Sequence, residues 1–388
     1  MISKVLFLSL ALFNFTLAFV QAQGVDYNQI HKDLLLVDGH NDVLVTSILS
    51  GRDISKRLAL GHTDIPRLIE GGVDVQVFAV WSDDQQWKEN AFKHANDQLD
   101  ALEEVVQNNA GKIQIAYRVQ DIFDLRDQGK IAALIGIEGG NMIQGSLENL
   151  EHLHRRGVKY LTLTWNYNLP WATAAAQEDH KPVAEQRGLS ELGIAIIKKM
   201  NALGMMVDLS HASKKTFYDV LKVSTKPVLV SHSNAARLTP HYRNLDDAQL
   251  LALKANGGVV GVNFYSGFLD TAFESRVHFL YEKHFGELEQ MLPVSKKYEL
   301  LPKELKFQAD ADLECLLQHI DYLVSKAGVD HVAIGSDFDG IESSPQYLQD
   351  VSMFPMLSKS LLQRGYSTGD LQKIMGLNFL RIMQQNEL

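Results

Sequence analysis

Cysteine is almost absent from this sequence, since Cys315 is the only thiol among 388 residues. A single thiol excludes a disulfide framework within the chain, and it excludes any four-thiolate zinc or iron–sulfur site within one chain. Cys315 lies in the amphipathic segment DLECLLQHIDYLV. We therefore expect it to be a buried core residue.

Positive charge and chain-breaking residues are also scarce. The 37 basic residues are outnumbered by 47 acidic ones, so the formal charge is −10 and no broad basic surface is available to nucleic acid or to an anionic membrane. With 9 prolines, 27 glycines and 46% hydrophobic residues, the composition excludes a collagen-like, low-complexity or largely disordered protein. We expect a folded globular protein that does not bind nucleic acid.

A long hydrophobic run occurs only at the N-terminus. Lys4 precedes an apolar segment from Val5 to Val20, and Val20-Gln21-Ala22 places small residues at the −3 and −1 positions of a cleavage site. This pattern predicts a secretory signal peptide over residues 1–22, with an uncleaved membrane anchor as the alternative. We expect an exported protein, periplasmic or secreted, with no stable membrane insertion after cleavage and with residues 23–388 as a single domain.

The rest of the chain alternates short apolar runs with amphipathic segments. The strand candidates are Leu34–Val37, Val73–Trp81, Ile131–Ile137, Tyr160–Thr164, Met205–Leu209, Val228–Val230, Val259–Phe264 and Val332–Ile334. The helix candidates between them include Asn90–Asn109, Ser190–Leu203, Ser213–Val223 and Asp246–Ala255. Nearly continuous apolar runs are typical of parallel strands buried on both faces, and Ser or Asp at a helix start is a favourable N-cap.

This alternation predicts an α/β fold, a (β/α)₈ TIM-type barrel. The alternative is an open doubly wound sheet, which is disfavoured because no Gly-rich phosphate loop follows any strand candidate. The stretch from Ser266 to Asp330 is predicted to be a long helical excursion after the seventh strand. Its position at the C-terminal end of that strand would place it over the active face.

Histidines and carboxylates follow five of the strand candidates. They are His40 and Asp42, Glu138, Asp208 and His211, His232, and Asp337 and Asp339. Because barrel active sites form at the C-terminal ends of the strands, we expect these side chains to converge. Imidazole with carboxylate and no thiolate suits zinc or another first-row divalent ion.

Five ligands exceed the needs of one tetrahedral zinc, so two ions bridged by one carboxylate are the economical arrangement. The predicted bridge is Glu138, with His40 and Asp42 on one ion and His211 and His232 on the other. A hydroxide between two such ions would be a nucleophile at neutral pH.

Asp337 is left free to move a proton. Two alternatives stay open, namely Glu138 as a helix N-cap and Asp208 as a carboxylate that supports a histidine. The other histidines, among them His62 and His94, are taken as surface or packing residues.

The motifs together resemble the membrane (renal-type) dipeptidases, zinc dipeptidases of the amidohydrolase-like barrel superfamily, and in particular a bacterial-type secreted member. The matching segments are VDGHND, IEGG, LTLTWNYNLPWA, VDLSHAS, PVLVSHSNA, HYRNLDD, GVVGVNFY, AIGSDFDG and GLNFLRI. The resemblance implies two zinc ions per chain with Glu138 as the bridge, and a homodimer. It also implies that Asp337 gives a proton to the departing amine and that Arg243 holds the C-terminal carboxylate of a dipeptide.

One position departs from the animal enzymes of this family. Where they carry a histidine that helps to bind substrate, this chain has Trp165 in LTLTWNYN. An indole N–H donates one hydrogen bond but cannot carry a positive charge. We therefore expect Trp165 to contact substrate, and oxyanion stabilisation to depend more on the metals.

The sequence thus predicts an exported binuclear zinc dipeptidase that hydrolyses dipeptides with a free C-terminal carboxylate. One alternative is a metal-dependent amidase, lactonase or β-lactam hydrolase on the same barrel. The other is a non-catalytic exported binding protein that has kept the fold.

Overall fold

The computed structural model describes residues 26–178, 181–286, 292 and 294–388. The predicted signal peptide, residues 1–22, lies outside the described residues. Within them, no helix is both long enough and apolar enough to cross a membrane.

The described part of the chain forms one sheet of parallel strands. The strands are β1 (Val37–Asp38), β2 (Val75–Trp81), β3 (Ile113–Ile115), β4 (Ile131–Glu138), β5 (Val158–Thr162), β6 (Met206–Asp208), β7 (Leu229–Ser233), β8 (Val259–Val262) and β9 (Val332–Ile334). Eight of them are neighbours in the order β1-β2-β4-β5-β6-β7-β8-β9. The predicted TIM-type barrel is therefore confirmed.

Hydrogen bonds between the two ends of this order close the barrel. The Gly39 N–H donates to Ile334 O at 3.0 Å, and the Asp42 N–H donates to Phe338 O at 2.9 Å. The Asp337 N–H donates to the His40 carbonyl at 3.1 Å. We call this contact between residues 38–42 and 334–338 the seam.

The observed strand bounds differ from the predicted ones by up to three residues, and one strand was missed. β1 begins at Val37, three residues later than expected, because Leu34–Leu36 have no paired residue in a neighbouring strand, although the Leu36 carbonyl accepts from the Asp74 and Val75 N–H groups. β3 was missed because it has three residues and only one of them is buried, so it shows no apolar run. It pairs with the first half of β4, on the edge that β5 occupies from Ile135 onward.

Helices cover the outside of the barrel. They are α1 (Tyr27–Asp33), α2 (Ile65–Glu70), α3 (Asp84–Trp87), α4 (Ala91–Asn108), α5 (Val119–Asp127), α6 (Leu147–Arg155), α7 (Glu191–Leu203), α8 (Lys214–Val223), α9 (Asp247–Asn256), α10 (Ser266–Leu269), α11 (Phe273–Phe285), α12 (Val294–Leu300), α13 (Lys303–Ala309), α14 (Leu313–Ala327), α15 (Phe354–Gln363), α16 (Thr368–Gln372) and α17 (Asn378–Asn386). Ser190, Ser213 and Asp246 cap α7, α8 and α9 through their side-chain oxygens, at the starts that the sequence indicated.

The predicted excursion after β8, the seventh strand of the barrel, is shorter than 266–330. Helices α10 to α13 form it, whereas α14 packs on α9 and β9 as a regular outer helix of the barrel. Cys315 lies on α14 and is half-buried against the core, so it is less enclosed than we expected.

The barrel interior changes from apolar to polar along the strands. In β4 every second residue faces inward, and Ala132 and Leu134 pack with inward residues of other strands and with Phe379 of α17. Glu138 ends the same inward row. The strands therefore place a hydrophobic core at the N-terminal end of the barrel and direct polar side chains into the mouth at its C-terminal end.

Candidate metal centre

Glu138 lies at the centre of the polar mouth, with a histidine group on each of its two oxygens. Its Oε2 is 3.4 Å from His40 Nε2. Its Oε1 is 2.9 Å from His211 Nε2 and 3.5 Å from His232 Nε2. Asp42 Oδ2 is 3.5 Å from His40 Nε2. The structure thus brings all five predicted ligands together.

The ligand atoms also form two overlapping groups, each within 4.8 Å. One contains His40, Glu138 and His232, and the other contains His40, Asp42 and Asp337. Asp337 is therefore as close to this cluster as the predicted ligands are, whereas the sequence had set it apart as a proton carrier.

Tyr160 holds His40 in place from inside the barrel. Its hydroxyl lies 2.8 Å from His40 Nδ1 and donates to Gly39 O at 3.2 Å. The phenol therefore accepts from Nδ1–H, which leaves the Nε2 lone pair facing the carboxylates. Gly136 makes room for the ring, because a Cβ there would lie 2.0 Å from the Tyr160 ring.

His232 is held by a chain of hydroxyl and carboxylate groups. Ser231 Oγ lies 2.8 Å from His232 Nδ1 and donates to Asp208 Oδ2 at 2.6 Å. Asp208 also accepts from the Ser231 N–H and from the Thr162 hydroxyl. It therefore acts on His232 through Ser231, which is the supporting role that the sequence left open.

His211 is oriented by Asn166, whose Oδ1 lies 3.1 Å from His211 Nδ1. With an acceptor on Nδ1, the proton stays there and Nε2 faces Glu138. The Nε2 atoms of His211 and His232 are 3.1 Å apart. His211 also adopts a left-handed backbone conformation, with φ of +63°, which non-glycine residues adopt mainly at functional sites.

This donor set fits a metal cation. His40 Nε2 is a buried nitrogen with no hydrogen-bond partner, although carboxylate oxygens surround it. Lone pairs directed at one another are repulsive unless a cation lies between them.

The pKa values of the histidines also favour the binding of a metal cation. Burial, reinforced by Arg243, lowers the pKa of His211 to about 4. Burial, together with His40, lowers the pKa of His232 well below its usual value. Both imidazoles are thus neutral, as a metal ligand must be. For His40, burial opposes the charged form, but Tyr160 and Glu138 raise its pKa well above the usual value. That position therefore favours a positive charge, which a proton or a metal ion can supply.

Asp337 follows β9 and lies beside the cluster, with Oδ1 3.9 Å from His40 Nε2. Asn263 Nδ2 donates to its other oxygen, Oδ2, at 2.8 Å. Burial, and after it the charges of Asp42 and Glu138, raises the pKa of Asp337 well above its usual value. Its backbone φ is +63°.

Asp339 is the other candidate after β9. It is held by His62, for which the sequence predicts a surface or packing role. His62 donates its backbone N–H to Asp339 Oδ1, and the Asp339 N–H donates to His62 Nδ1, both at 2.9 Å. His62 therefore fixes the loop that carries Asp337. His94 is buried and stacks on Trp87 at 3.6 Å, as a packing residue.

A cavity of about 790 Å³ opens over the cluster. Arg243 lines it and is 5% exposed. Its Nη2 donates to the His232 carbonyl at 3.1 Å, but its buried Nε has no partner, and no carboxylate of the described residues lies within 4 Å of the guanidinium. A buried cation without a counter-ion is costly, so this wall of the cavity favours an anionic ligand.

Trp165 lines the same cavity. Its ring packs edge-on against Trp81 at 5.0 Å and lies 6.5 Å from the ring of His211. It therefore presents an aromatic surface to a ligand next to the histidine cluster.

The sequence reasoning missed four residues that position the predicted ones. Asn166 comes two residues after the strand candidate Tyr160–Thr164, and Asn263 lies near the end of the candidate Val259–Phe264, so reading amides as well as ionisable groups at strand ends would have found both. Ser231 comes directly after the candidate Val228–Val230 and Tyr160 begins the candidate Tyr160–Thr164, and for these two the sequence shows no signal that separates a supporting hydroxyl from a core residue.

Comparisons with known proteins agree with this site. A sequence profile described as membrane dipeptidase (peptidase family M19) matches residues 25–388. The chain is 34% identical over 381 residues to an uncharacterized dipeptidase of Schizosaccharomyces pombe, covering 93% of this chain and 83% of that protein. It is 32% identical over 366 residues to the dipeptidase tcpJ of Claviceps purpurea, covering 90% and 76%. A crystal structure of a metallopeptidase from Rhodobacter sphaeroides, bound to a phosphinate mimic of the dipeptide L-Ala-D-Ala, superimposes with a TM-score of 0.76 at 25% identity, covering 91% of this chain and 99% of that one.

Proposed function

The chain belongs to the membrane dipeptidase family, peptidase family M19, and from this premise we propose that it is a binuclear zinc enzyme that hydrolyses dipeptides with a free C-terminal carboxylate. The family and its dipeptidase relatives already make it a metallo-dipeptidase, a hydrolase of peptide bonds. The observation that supports two ions is the position of Glu138, whose two oxygens face different histidines.

Five side chains would hold the ions, namely His40, Asp42, Glu138, His211 and His232. Zinc ions bound there would polarise the scissile carbonyl and lower the pKa of water enough for attack at neutral pH. Tyr160, Ser231 and Asn166 keep the three histidines in the tautomer that such binding requires.

The substrate is positioned by the wall of the cavity. Arg243 pairs with the C-terminal carboxylate, because it is a buried cation that no described carboxylate neutralises. Trp165 packs beside the substrate and, since it has no charge, leaves the stabilisation of the oxyanion to the metal centre.

Asp337 supplies the proton that the leaving nitrogen needs. Burial raises its pKa well above the usual value and so favours the protonated carboxyl, and Asn263 fixes Oδ2, so that Oδ1 is the oxygen facing the cluster. A carboxyl group in this position can protonate the amine as the C–N bond breaks.

The test combines metal analysis with an activity assay on purified protein starting at residue 23. We expect about two zinc ions per chain, and release of free amino acids from L-Ala-L-Ala or L-Ala-D-Ala. The second peptide is included because the R. sphaeroides metallopeptidase binds its mimic. The Asp337→Asn variant is the matched control, and it should keep its zinc and lose turnover.

Other outcomes would reassign the protein. The protein could bind zinc and turn over neutral amides, lactones or β-lactams, yet release no amino acid from any dipeptide. That result would overturn the dipeptidase proposal. Zinc with no turnover of any of these would favour a binding protein. Absence of metal after zinc is resupplied would contradict the metal centre itself.

We also propose that residues 1–22 are a signal peptide, that residues 23–388 form one domain, and that the mature protein is a homodimer in the periplasm or outside the cell. The cleavage-site pattern Val20-Gln21-Ala22 supports export. The N-terminal sequence of the protein from its own cells should begin at Gln23, and light scattering should give twice the chain mass. A native N-terminus at Met1 would contradict cleavage of a signal peptide.

A further inference from the structure

The wall of the cavity carries two carboxylates that no charged side chain neutralises. Glu274 and Glu342 both line the cavity and are exposed. Among the described residues, no Lys, Arg or His nitrogen lies within 4 Å of either carboxylate. Carboxylates left unpaired in a concave site attract a cationic group of the ligand.

An aromatic surface connects these carboxylates to Arg243. The Arg243 guanidinium lies over the ring of Phe268 at 5.5 Å, and Phe268 packs perpendicular to Tyr265 with ring centroids 4.9 Å apart. The Tyr265 hydroxyl donates to Glu342 Oε1 at 3.1 Å. The cavity therefore runs from a buried cation without a counter-ion, across two aromatic rings, to carboxylates without a cationic partner.

Glu274 belongs to the same end of the cavity as Glu342. Glu274 follows Phe273 in the first turn of α11, and the Phe273 ring packs on Tyr265 with centroids 5.7 Å apart. Burial, and after it the charges of these two glutamates, raises the pKa of the Tyr265 phenol. The guanidinium nitrogen Nε of Arg243 is the independent sign that a ligand belongs here, because it is buried, lines the cavity and has no partner.

We propose, building on the proposed dipeptidase function, that the enzyme prefers dipeptides whose C-terminal residue has a cationic side chain, with Glu342 and Glu274 as its specificity residues. The terminal carboxylate pairs with Arg243, and the methylene stem crosses Phe268 and Tyr265. A lysine stem with bond lengths near 1.5 Å reaches roughly 6 Å from Cα to its amine, which is longer than the 4.9 Å between the ring centroids of Phe268 and Tyr265. Long cationic side chains bury their stems on apolar surface and keep their charge at its edge.

The test compares L-alanyl-L-lysine with L-alanyl-L-norleucine, which has nearly the same stem without the amine. The corresponding L-alanyl-D peptides are measured in parallel, so that stereochemistry does not decide the outcome. We expect the ratio of kcat/KM for the lysine over the norleucine peptide to fall about threefold to tenfold in the double variant Glu274→Gln/Glu342→Gln, the size expected for partly exposed ion pairs. The same variant should improve the relative rate for L-alanyl-L-glutamate.

The matched control is Glu304→Gln, an exposed glutamate on α13 that does not line the cavity. It should leave the ratio as in the wild type. Added salt should lower the wild-type ratio, because the ion pairs are screened.

Two results would overturn the proposal while leaving the dipeptidase function intact. One is a kcat/KM that is unchanged for both peptides in the double variant. The other is an equal loss for both peptides, which would mean that the carboxylates bind the α-ammonium that both share. Failure of the wild-type enzyme to cleave any dipeptide would instead contradict the proposed function.

Discussion

Arg243 is the residue that separates dipeptides from substrates without a terminal charge. We expect Arg243→Gln to lower kcat/KM for L-Ala-L-Ala about 100-fold, or roughly 3 kcal/mol, because a buried charge-assisted pair is lost. The amide L-Ala-L-Ala-NH₂ should be a poor substrate of the wild type and should lose less than about threefold in the variant. Steady-state kinetics on both peptides measures this.

The control for that experiment is Arg237→Gln, an exposed arginine in the same loop region. It should leave both rates unchanged. A loss of equal size for the acid and the amide would contradict a carboxylate contact, because Arg243 would then be supporting His232 through its carbonyl.

Asp84 gives the protein a pH dependence away from the metal cluster. It lies in the first turn of α3, and both of its carboxylate oxygens are buried without a hydrogen-bond partner. Burial, with Asp83 as the second cause, raises its pKa from 3.8 to about 7. Between these two values the native state holds a proton that the unfolded state has lost, so the free energy of unfolding falls as pH rises.

We therefore expect Asp84→Asn to be more stable than the wild type at pH 8, by about 1–2 kcal/mol after allowance for partial solvent screening. The gain should shrink as pH falls below about 7, where the native carboxyl takes up its proton and no longer carries a buried charge. Urea unfolding at pH 4.5 and pH 8 measures the difference, and Asp97→Asn, an exposed aspartate, is the control. A gain that is the same at both pH values would contradict titration of Asp84.

At the scale of elements, the position of the site could be predicted from strand ends. Glu138 and His232 lie at the C-terminal ends of β4 and β7, so the barrel rule alone brings them to one mouth. The support by Tyr160 could not be predicted, because it depends on the absence of a side chain at Gly136 on a neighbouring strand. Sequence patterns report which way a strand is buried, whereas such contacts depend on the register between strands.

The loop after β9 packs against the metal centre through a glycine. A Cβ on Gly340 would lie 2.2 Å from Asp42 Oδ2 and 2.6 Å from Asp337 Oδ1. We expect Gly340→Ala to displace both carboxylates, to lower the zinc content and to reduce kcat more than tenfold, while the circular dichroism spectrum stays unchanged. Gly111→Ala is the control, since nothing lies within 4 Å of its Cβ position. Full zinc content in Gly340→Ala would contradict the placement of Asp42 as a ligand.

At the scale of the whole molecule, the fold could be predicted in outline and the excursion could not. Alternating apolar runs determine eight parallel strands, but the end of the excursion depends on which helix packs against β9. That helix is α14, whose amphipathic pattern resembles that of α11. Amphipathicity identifies a helix face that is buried, without identifying its partner.

Metal removal should change the stability of the entire barrel. Asp42 and Glu138 are buried and Asp337 is half-buried beside them, so their charges repel one another without a cation. We expect free zinc at 100 times its Kd to raise the Tm of chelator-treated protein by about 3–4 °C for each ion bound, from a linkage term of about 2.7 kcal/mol per ion. Calorimetry measures this, and Glu138→Gln should respond much less. Equal Tm values for the wild type with chelator and with zinc would contradict a cation site in the native state.

The seam that closes the barrel also has a mechanical meaning. The backbone segments that join β9 to β1 are the same segments that carry His40, Asp42 and Asp337. β1 itself contributes only a two-residue strand, so few backbone bonds hold this part of the wall. An ion bound by these side chains would cross-link the two edges of the sheet where they meet and where few backbone bonds hold them together. Opening the seam and dismantling the catalytic centre are then a single event, and the amide protons of Gly39, Asp42 and Asp337 would exchange with solvent at its rate.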